Sequence, residues 1–223
     1  MPIKIQSLVE GSKSATGIVV IIDVLRACTT IPILLKNGAQ EIIPVSTLEE
    51  AEEYESEGYI LIGEGEHGHI HDTYHHNNSP SEIYAIDFTG KKVVLRTNNA
   101  TQAILNAGKA SDIILASFVN LTACAGYIKT HHIKDITLVP LGRLGKKGLE
   151  DELCAQAIKS VLEGKPFDFR EMKEQISNCE TAILVKETLK RPKDVELSLD
   201  MDSYPIVPIV CLENSKRIIR AIV

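Results

Sequence analysis

No apolar run in this sequence approaches the ~20 residues of a membrane span, and the first residues, MPIKIQSLVEGSKS, lack the apolar core of a secretory leader. The expectation is a cytoplasmic protein with no membrane partner. Basic residues are not in excess: 24 Lys and Arg stand against 30 Asp and Glu, a formal net charge of -6, with a pI near 5.7. That balance argues against broad nucleic-acid binding, which needs a basic face, and leaves room only for a local basic pocket. Paired cysteines are missing too. Cys28, Cys124, Cys154, Cys179 and Cys211 are odd in number, far apart and without a Cys-x-x-Cys spacing, so they read as buried small hydrophobes. Internal repeats and low-complexity linkers are also absent.

What is present is an ordinary globular composition, 44% hydrophobic and 24% charged, over 223 residues. That length suits one large domain or two small ones sharing a core; the expectation is a single domain over 1–223. The stretch Ile18 to Thr30, IVVIIDVLRACTT, organises the rest. Six of its first seven residues are apolar and most are β-branched, as in a strand buried on both faces. The strand runs into Asp23 and then, through Leu25, Arg26 and Ala27, into an apolar helix closed by Asn37-Gly38. In an open α/β sheet such a junction lies where ligands bind, outside the strand's carboxyl end. Asp23 and Arg26 there suit a metal and an anion; equally, Asp23 suits a helix cap and Arg26 a surface ion pair. Cys28 is the one cysteine beside this junction, and no histidine stands at a spacing that would make it a nucleophile.

The pattern repeats along the chain. Glu41 to Val45 reads as a strand, followed by Ser46-Thr47-Leu48-Glu49 as a capping box and a helix ending at Gly58. Tyr59 to Ile62 is a strand ending at Gly63-Glu64. The segment GEHGHIHDTYHHNN, Gly65 to Asn78, carries five of the seven histidines. If extended, it would put His67, His69 and His71 on one side, a conceivable transition-metal site or simply a mobile loop. Ser79-Pro80-Ser81-Glu82 reads as a second capping box. Lys91 to Thr97 is a strand leading to Asn98-Asn99-Ala100-Thr101, a helix start suited to an anion. Asp112 to Phe118 leads to Asn120, and Ile136 to Leu141 leads to the glycine-rich basic loop Gly142-Arg143-Leu144-Gly145-Lys146-Lys147-Gly148. That loop could cradle a phosphate, although its spacing is not that of a P-loop. It opens a helix at Leu149-Glu150-Asp151-Glu152. Helices are expected to about Lys190, then an acidic turn, then a last strand from Ile206 to Cys211. Alternating strands and helices imply an α/β fold with a largely parallel or mixed sheet covered by helices. Asp23, Glu64, Asn98 and Asn99, Asn120 and Gly142 would then share one edge, in a cleft at the strand carboxyl ends.

The set Asp23-Val24-Leu25-Arg26-Ala27, Gly63-Glu64, Asn78-Ser79-Pro80, Asn99-x-Thr101, Asn120 and Glu150-Asp151, in this order and spacing, resembles the 2-phosphosulfolactate phosphatase family over almost the whole chain. The resemblance implies an α/β fold of its own kind and a Mg²⁺-dependent phosphatase. Its reaction removes phosphate from 2-phosphosulfolactate to leave sulfolactate, a step toward coenzyme M in organisms that make it. It nominates Asp23, Arg26, Glu64, Asn99 and Asp151 as catalytic, and Arg26, Asn78, Asn99, Thr101 and Asn120, joined by Arg143 of the basic loop, as substrate-binding. It nominates Asp23, Glu64, Glu150 and Asp151 as metal ligands. The partner expected is a small anionic phosphorylated substrate, and a homo-oligomer is a reasonable expectation. The chain departs from the family pattern at Gly65, where the family usually has Arg. It departs again at Tyr74-His75-His76-Asn77, where the family has Phe-Asp-x-Gly, and at Ala100 within Asn-Gly-Thr. Three functions follow: a Mg²⁺-dependent phosphomonoester hydrolase, an anion-binding protein of the same fold without turnover, and an enzyme whose histidine loop holds a transition metal.

Overall fold

A computed structural model describes residues 2–65, 68–69, 71–131 and 135–222. Ten strands form one sheet in the order β1-β8-β2-β7-β9-β10-β3-β6-β4-β5. The strands are β1 (Ile3–Ile5), β2 (Gly17–Ile22), β3 (Glu41–Val45), β4 (Ile60–Gly63), β5 (His76–Asn77), β6 (Lys92–Arg96), β7 (Ala110–Ala116), β8 (Ile136–Pro140), β9 (Val207–Glu213) and β10 (Lys216–Ile222). The helices are α1 (Leu8–Ser14), α2 (Ala27–Lys36), α3 (Leu48–Ser56), α4 (Pro80–Ile83), α5 (Ala100–Asn106), α6 (Leu121–Thr130), α7 (Leu149–Glu163), α8 (Phe169–Ser177), α9 (Glu180–Ile183) and α10 (Pro192–Ser198). A π-helical turn, Leu184–Thr188, continues α9. No helix among the described residues is long and apolar enough to cross a membrane.

The apolar run in β2 is buried on both faces, as its composition requires. Val19 and Ile21 enter one core cluster with α2 and α5, while Ile18, Val20 and Ile22 enter another with α6 and α7. Helix α2 is buried along almost its whole length, Ala27 through Leu35, which fits a sequence apolar on every side. A smaller cluster of Ile43, Val45, Leu61, Tyr74 and Val94 lies under α3.

The sheet is mixed in a particular way. β1, β8, β2 and β7 run parallel to one another, as do β3, β6, β4 and β5, but the three pairings that join these halves, β7–β9, β9–β10 and β10–β3, are all antiparallel. The two parallel halves therefore run in opposite senses, and the expectation of a single edge carrying every strand end is corrected. The residues that follow β2, β4, β6 and β8 nonetheless line one cavity.

Several local expectations shift. The first capping box is one residue later than expected: Thr47 caps α3 and accepts from the Glu50 N–H, while the Glu50 carboxylate takes the Ser46 and Thr47 N–H groups. The second is not a box. Pro80 does open α4, but the Ser79 hydroxyl donates to Asp194 and the Glu82 carboxylate accepts from the Asn77 N–H. The acidic turn before the last strand contains α10, and the chain ends with a further strand, β10, paired to β9 across Asn214-Ser215.

Candidate active site

A cavity of about 470 Å³ opens where the carboxyl ends of β2, β4, β6 and β8 converge, and its polar wall is built from Asp23, Arg26, Glu64, Asn98, Asn99, Arg143 and Glu150. Leu25, Leu184, Val185 and Leu189 make its apolar side. The π-helical turn after α9 thus roofs a site whose floor comes from the sheet.

Asp23 both holds the start of α2 and faces the cavity. Its Oδ1 accepts the N–H of Ala27, the first residue of α2, at 3.3 Å, and its carboxylate also lines the cavity. Burial pushes its pKa up to about 7, the nearby charge of Glu64 and then Glu150 pushes the same way, and the Ala27 N–H and Arg26 oppose them. Asp151 stands behind it and does not line the cavity. Its two oxygens accept from the Val24 N–H at 2.7 Å and the Gly142 N–H at 2.8 Å, clamping the turn after β2 to the turn after β8. Burial, then Glu150 and Asp23, raise the Asp151 carboxyl well above the usual range against those two donors.

Arg26 is 3% exposed and held from several sides. One terminal nitrogen donates to Asp194 at 3.0 Å; the other donates to the Gly68 backbone carbonyl at 3.0 Å and lies 3.5 Å from both Glu64 and the side-chain Oδ1 of Asn77. Its partners are thus interior groups, not the surface carboxylate of the simpler sequence reading. Asp194 is fully buried on α10 and also accepts from the Ser79 hydroxyl and the Ser81 N–H. Sequence reasoning passed over it, because α10 lay in the segment read as an acidic turn. Glu64 accepts from the N–H and side-chain amide of Asn98 and, at 3.5 Å, from Asn78. The Oδ1 of Asn78, itself 1% exposed, has no hydrogen-bond partner among the described residues.

The other nominated residues divide clearly. Asn99 lines the cavity and donates to the Gly142 carbonyl, tying the start of α5 to the end of β8. Glu150 lines it too, with the Cys179 thiol 3.5 Å away. Thr101 is buried behind the wall and exchanges hydrogen bonds with Thr97. Asn120 is also fully buried: its amide donates to the Leu115 and Ile206 carbonyls and accepts from the Ser117 N–H, securing the turn after β7. Neither Thr101 nor Asn120 lines the cavity.

The histidines disperse. His71 contacts Thr73, His75 accepts the Leu61 N–H, His76 faces Glu82, His69 is exposed, and His67 lies outside the described residues. Among the described residues no group of three His, Cys, Asp or Glu side chains stands ready to hold a metal ion. Cys28 is fully buried, and its thiol is raised well above the ordinary value by burial and then by Asp23 and Asp151, which leaves no reactive thiolate there.

A half-open cavity carrying three carboxylates and a buried arginine at converging strand ends marks this as an α/β protein with an acidic pocket in its mixed sheet. A family model described as 2-phosphosulpholactate phosphatase matches residues 3–212. The chain belongs to that family. It is 44% identical to a probable 2-phosphosulfolactate phosphatase of Thermotoga maritima over 139 residues, which cover 62% of this chain and 60% of that relative. A relative of the same name from Thermoplasma acidophilum is 32% identical, with 88% of this chain and 87% of the relative covered. One from Caldanaerobacter subterraneus is also 32% identical, with 85% and 86% covered. The aligned part thus spans about three fifths of the Thermotoga relative and most of the other two.

Proposed function

We propose that this chain is a Mg²⁺-dependent hydrolase of a small, anionic phosphate monoester, with 2-phosphosulfolactate as the substrate that family membership favours and sulfolactate and inorganic phosphate as products. In an organism that makes coenzyme M, this reaction would be a step toward it. The observation that carries the reading is the convergence of Asp23, Glu64, Glu150 and Arg26 on one cavity, with Asp23 lifted to about 7 partly by its acidic neighbours. Carboxylates held close enough to penalise one another, beside a guanidinium, suit a cation and an oxyanion bound together.

The donor set fits Mg²⁺, which prefers oxygen ligands, takes one or two carboxylates and keeps water and substrate oxygens for its other positions. A ready-made cluster of three is therefore not required. Asp23 and Glu150 would hold the ion, with Glu64 on the facing wall. When bound, it would offset charge on the phosphoryl oxygens and lower the pKa of a coordinated water.

The remaining roles fall to the chain itself. Arg26, fixed by Asp194 and the Gly68 carbonyl, presents a guanidinium that cannot swing away, so the charge-assisted hydrogen bonds it offers a phosphoryl group are pre-oriented. Leu184, Val185 and Leu189 exclude bulk water from one side of the cavity, which strengthens those bonds. Asn98 fixes Glu64 through both its backbone and its side-chain N–H groups.

Phosphate release from 2-phosphosulfolactate and from glycerol 2-phosphate, measured with EDTA, Mg²⁺ or Zn²⁺, tests the proposal. The expected result is release that requires Mg²⁺, is abolished by EDTA and is not restored by Zn²⁺ alone. No release from either ester with Mg²⁺ would leave an anion-binding protein, and undiminished release in EDTA would remove the metal from the reaction.

A further inference from the structure

Beside the reaction cavity lies a second one, of about 360 Å³, and the two share Arg143, Leu144, Glu150, Thr181 and Leu184. The boundary between them is the tip of the basic loop. Arg143 and Lys146 exchange both backbone hydrogen bonds, at 2.8 and 2.9 Å, so Leu144 and Gly145 form a two-residue hairpin, each with positive φ. Gly142 makes the tip rigid. At φ +63 it lies against the Lys146 carbonyl so closely that a Cβ would stand 2.1 Å from that oxygen.

Residues directly opposed across such a pair project their side chains on the same face, roughly 5.5 Å apart at Cα. Here both are cations, both line the second cavity, and neither meets a carboxylate at ion-pair distance among the described residues, whereas Lys147 beside them is paired with Glu152. Like charges directly opposed across a strand pair are destabilising, and an anion between them reverses the sign of that interaction. The acidic residues on this cavity's wall do not supply one: Glu150 is engaged by the Cys179 thiol at the boundary, and Glu180 stays exposed to screening water. Leu144, 70% exposed in the left-handed region, is the apolar rim over both cavities.

We propose that the Arg143–Lys146 pair is the subsite for a second acidic group, a carboxylate or sulfonate, of the same molecule whose phosphate lies at Arg26. This deepens the hydrolase reading and rests on it for the identity of the phosphate site. It divides the work between two arginines: Arg26 holds the group that reacts, and Arg143 with Lys146 selects substrates by the group that does not. The ligand class is a phosphomonoester or phosphonate with an acid at its other end.

Binding of non-hydrolysable probes separates this subsite from turnover. Propylphosphonate and 3-phosphonopropionate share the phosphonate and differ in the acidic end. Calorimetry in the presence of Mg²⁺ is expected to show 3-phosphonopropionate binding wild type about tenfold more tightly, the effect of one additional charge-assisted contact. In Lys146→Glu, and separately in Arg143→Gln, the ratio of the two affinities should collapse to within twofold, at unchanged Tm for the exposed Lys146. Equal affinities in wild type, or a preference that persists in both variants, would overturn the subsite. An absence of phosphate release from every ester, with the probe preference intact, would instead overturn hydrolysis and leave the subsite standing.

Discussion

At the scale of single residues, the site depends on how Arg26 is held. Its guanidinium is buried and shared among Asp194, Glu64, the Gly68 carbonyl and Asn77. Lysine keeps the charge but offers one point in place of a planar fork. Arg26→Lys is therefore expected to lower kcat/KM by roughly ten- to a hundredfold, on the order of one to three kcal/mol; an unchanged value in steady-state kinetics would make the residue a structural one. Asp194→Ala leaves one terminal nitrogen of the guanidinium and the Ser79 hydroxyl without their acceptor, and breaking a buried pair from one side costs about 3–5 kcal/mol. A marked fall in Tm by calorimetry is the expected outcome. The contrast with the sequence is instructive. Asp23, Arg26, Glu64, Asn99 and Arg143 were legible because each follows closely on a strand or sits at a helix start, and Glu150 only through the family resemblance. Asp194 was not, since it reaches the site from a short helix more than 160 residues away, which no local pattern encodes.

At the scale of elements, legibility followed burial. β2 was readable because an unbroken β-branched run has few alternatives, and α7 because it opens after a glycine and closes at Gly164 in the left-handed region. β10 was missed. Its hairpin turn is Asn214-Ser215 with positive φ at both residues, a weaker signal than Asn-Gly, and its arginines disguise a strand: Arg220 pairs with Glu41 and Glu213, and Arg217 donates to the Ile104 carbonyl. The departures from the family pattern are also local. Among the described residues a Cβ on Gly65 would meet only ordinary contacts at 3.6 Å or more, so Gly65→Arg is expected to fold with little change in Tm and to raise kcat/KM for 2-phosphosulfolactate relative to glycerol 2-phosphate. An unchanged ratio between the two esters would show that the missing guanidinium is without consequence. Gly142→Ala is the opposite case. Its Cβ would collide with the Lys146 carbonyl, and a marked loss of Tm is expected together with loss of the hairpin that presents Arg143.

At the scale of the whole molecule, two parallel half-sheets of opposite sense, joined through the C-terminal hairpin, bring acids from β2, β4 and the start of α7 into one low-dielectric space. That arrangement makes stability, proton binding and metal binding one linked quantity. Asp23 has an ordinary pKa of 3.8 and is raised to about 7 in the folded chain. A folded acid with a raised pKa holds its proton more tightly than the unfolded chain does, so its contribution is fully present below about pH 4 and is lost as pH rises through 7. Asp151 is shifted in the same direction. Mg²⁺ takes the ionised carboxylate, so it must displace that proton below pH 7 and need not above it. Three outcomes are expected when Tm is measured from pH 5 to pH 8. Metal-free wild type should lose Tm relative to Asp23→Asn as pH rises, because the amide has no charge to bury. The Tm gained by wild type on adding Mg²⁺ should be larger at pH 8 than at pH 6. In Asp23→Asn that gain should be small and should depend little on pH. A metal-free difference between wild type and variant that stays flat from pH 5 to pH 8 would mean that burial does not penalise the Asp23 carboxylate, and would remove the electrostatic argument for a cation at this site.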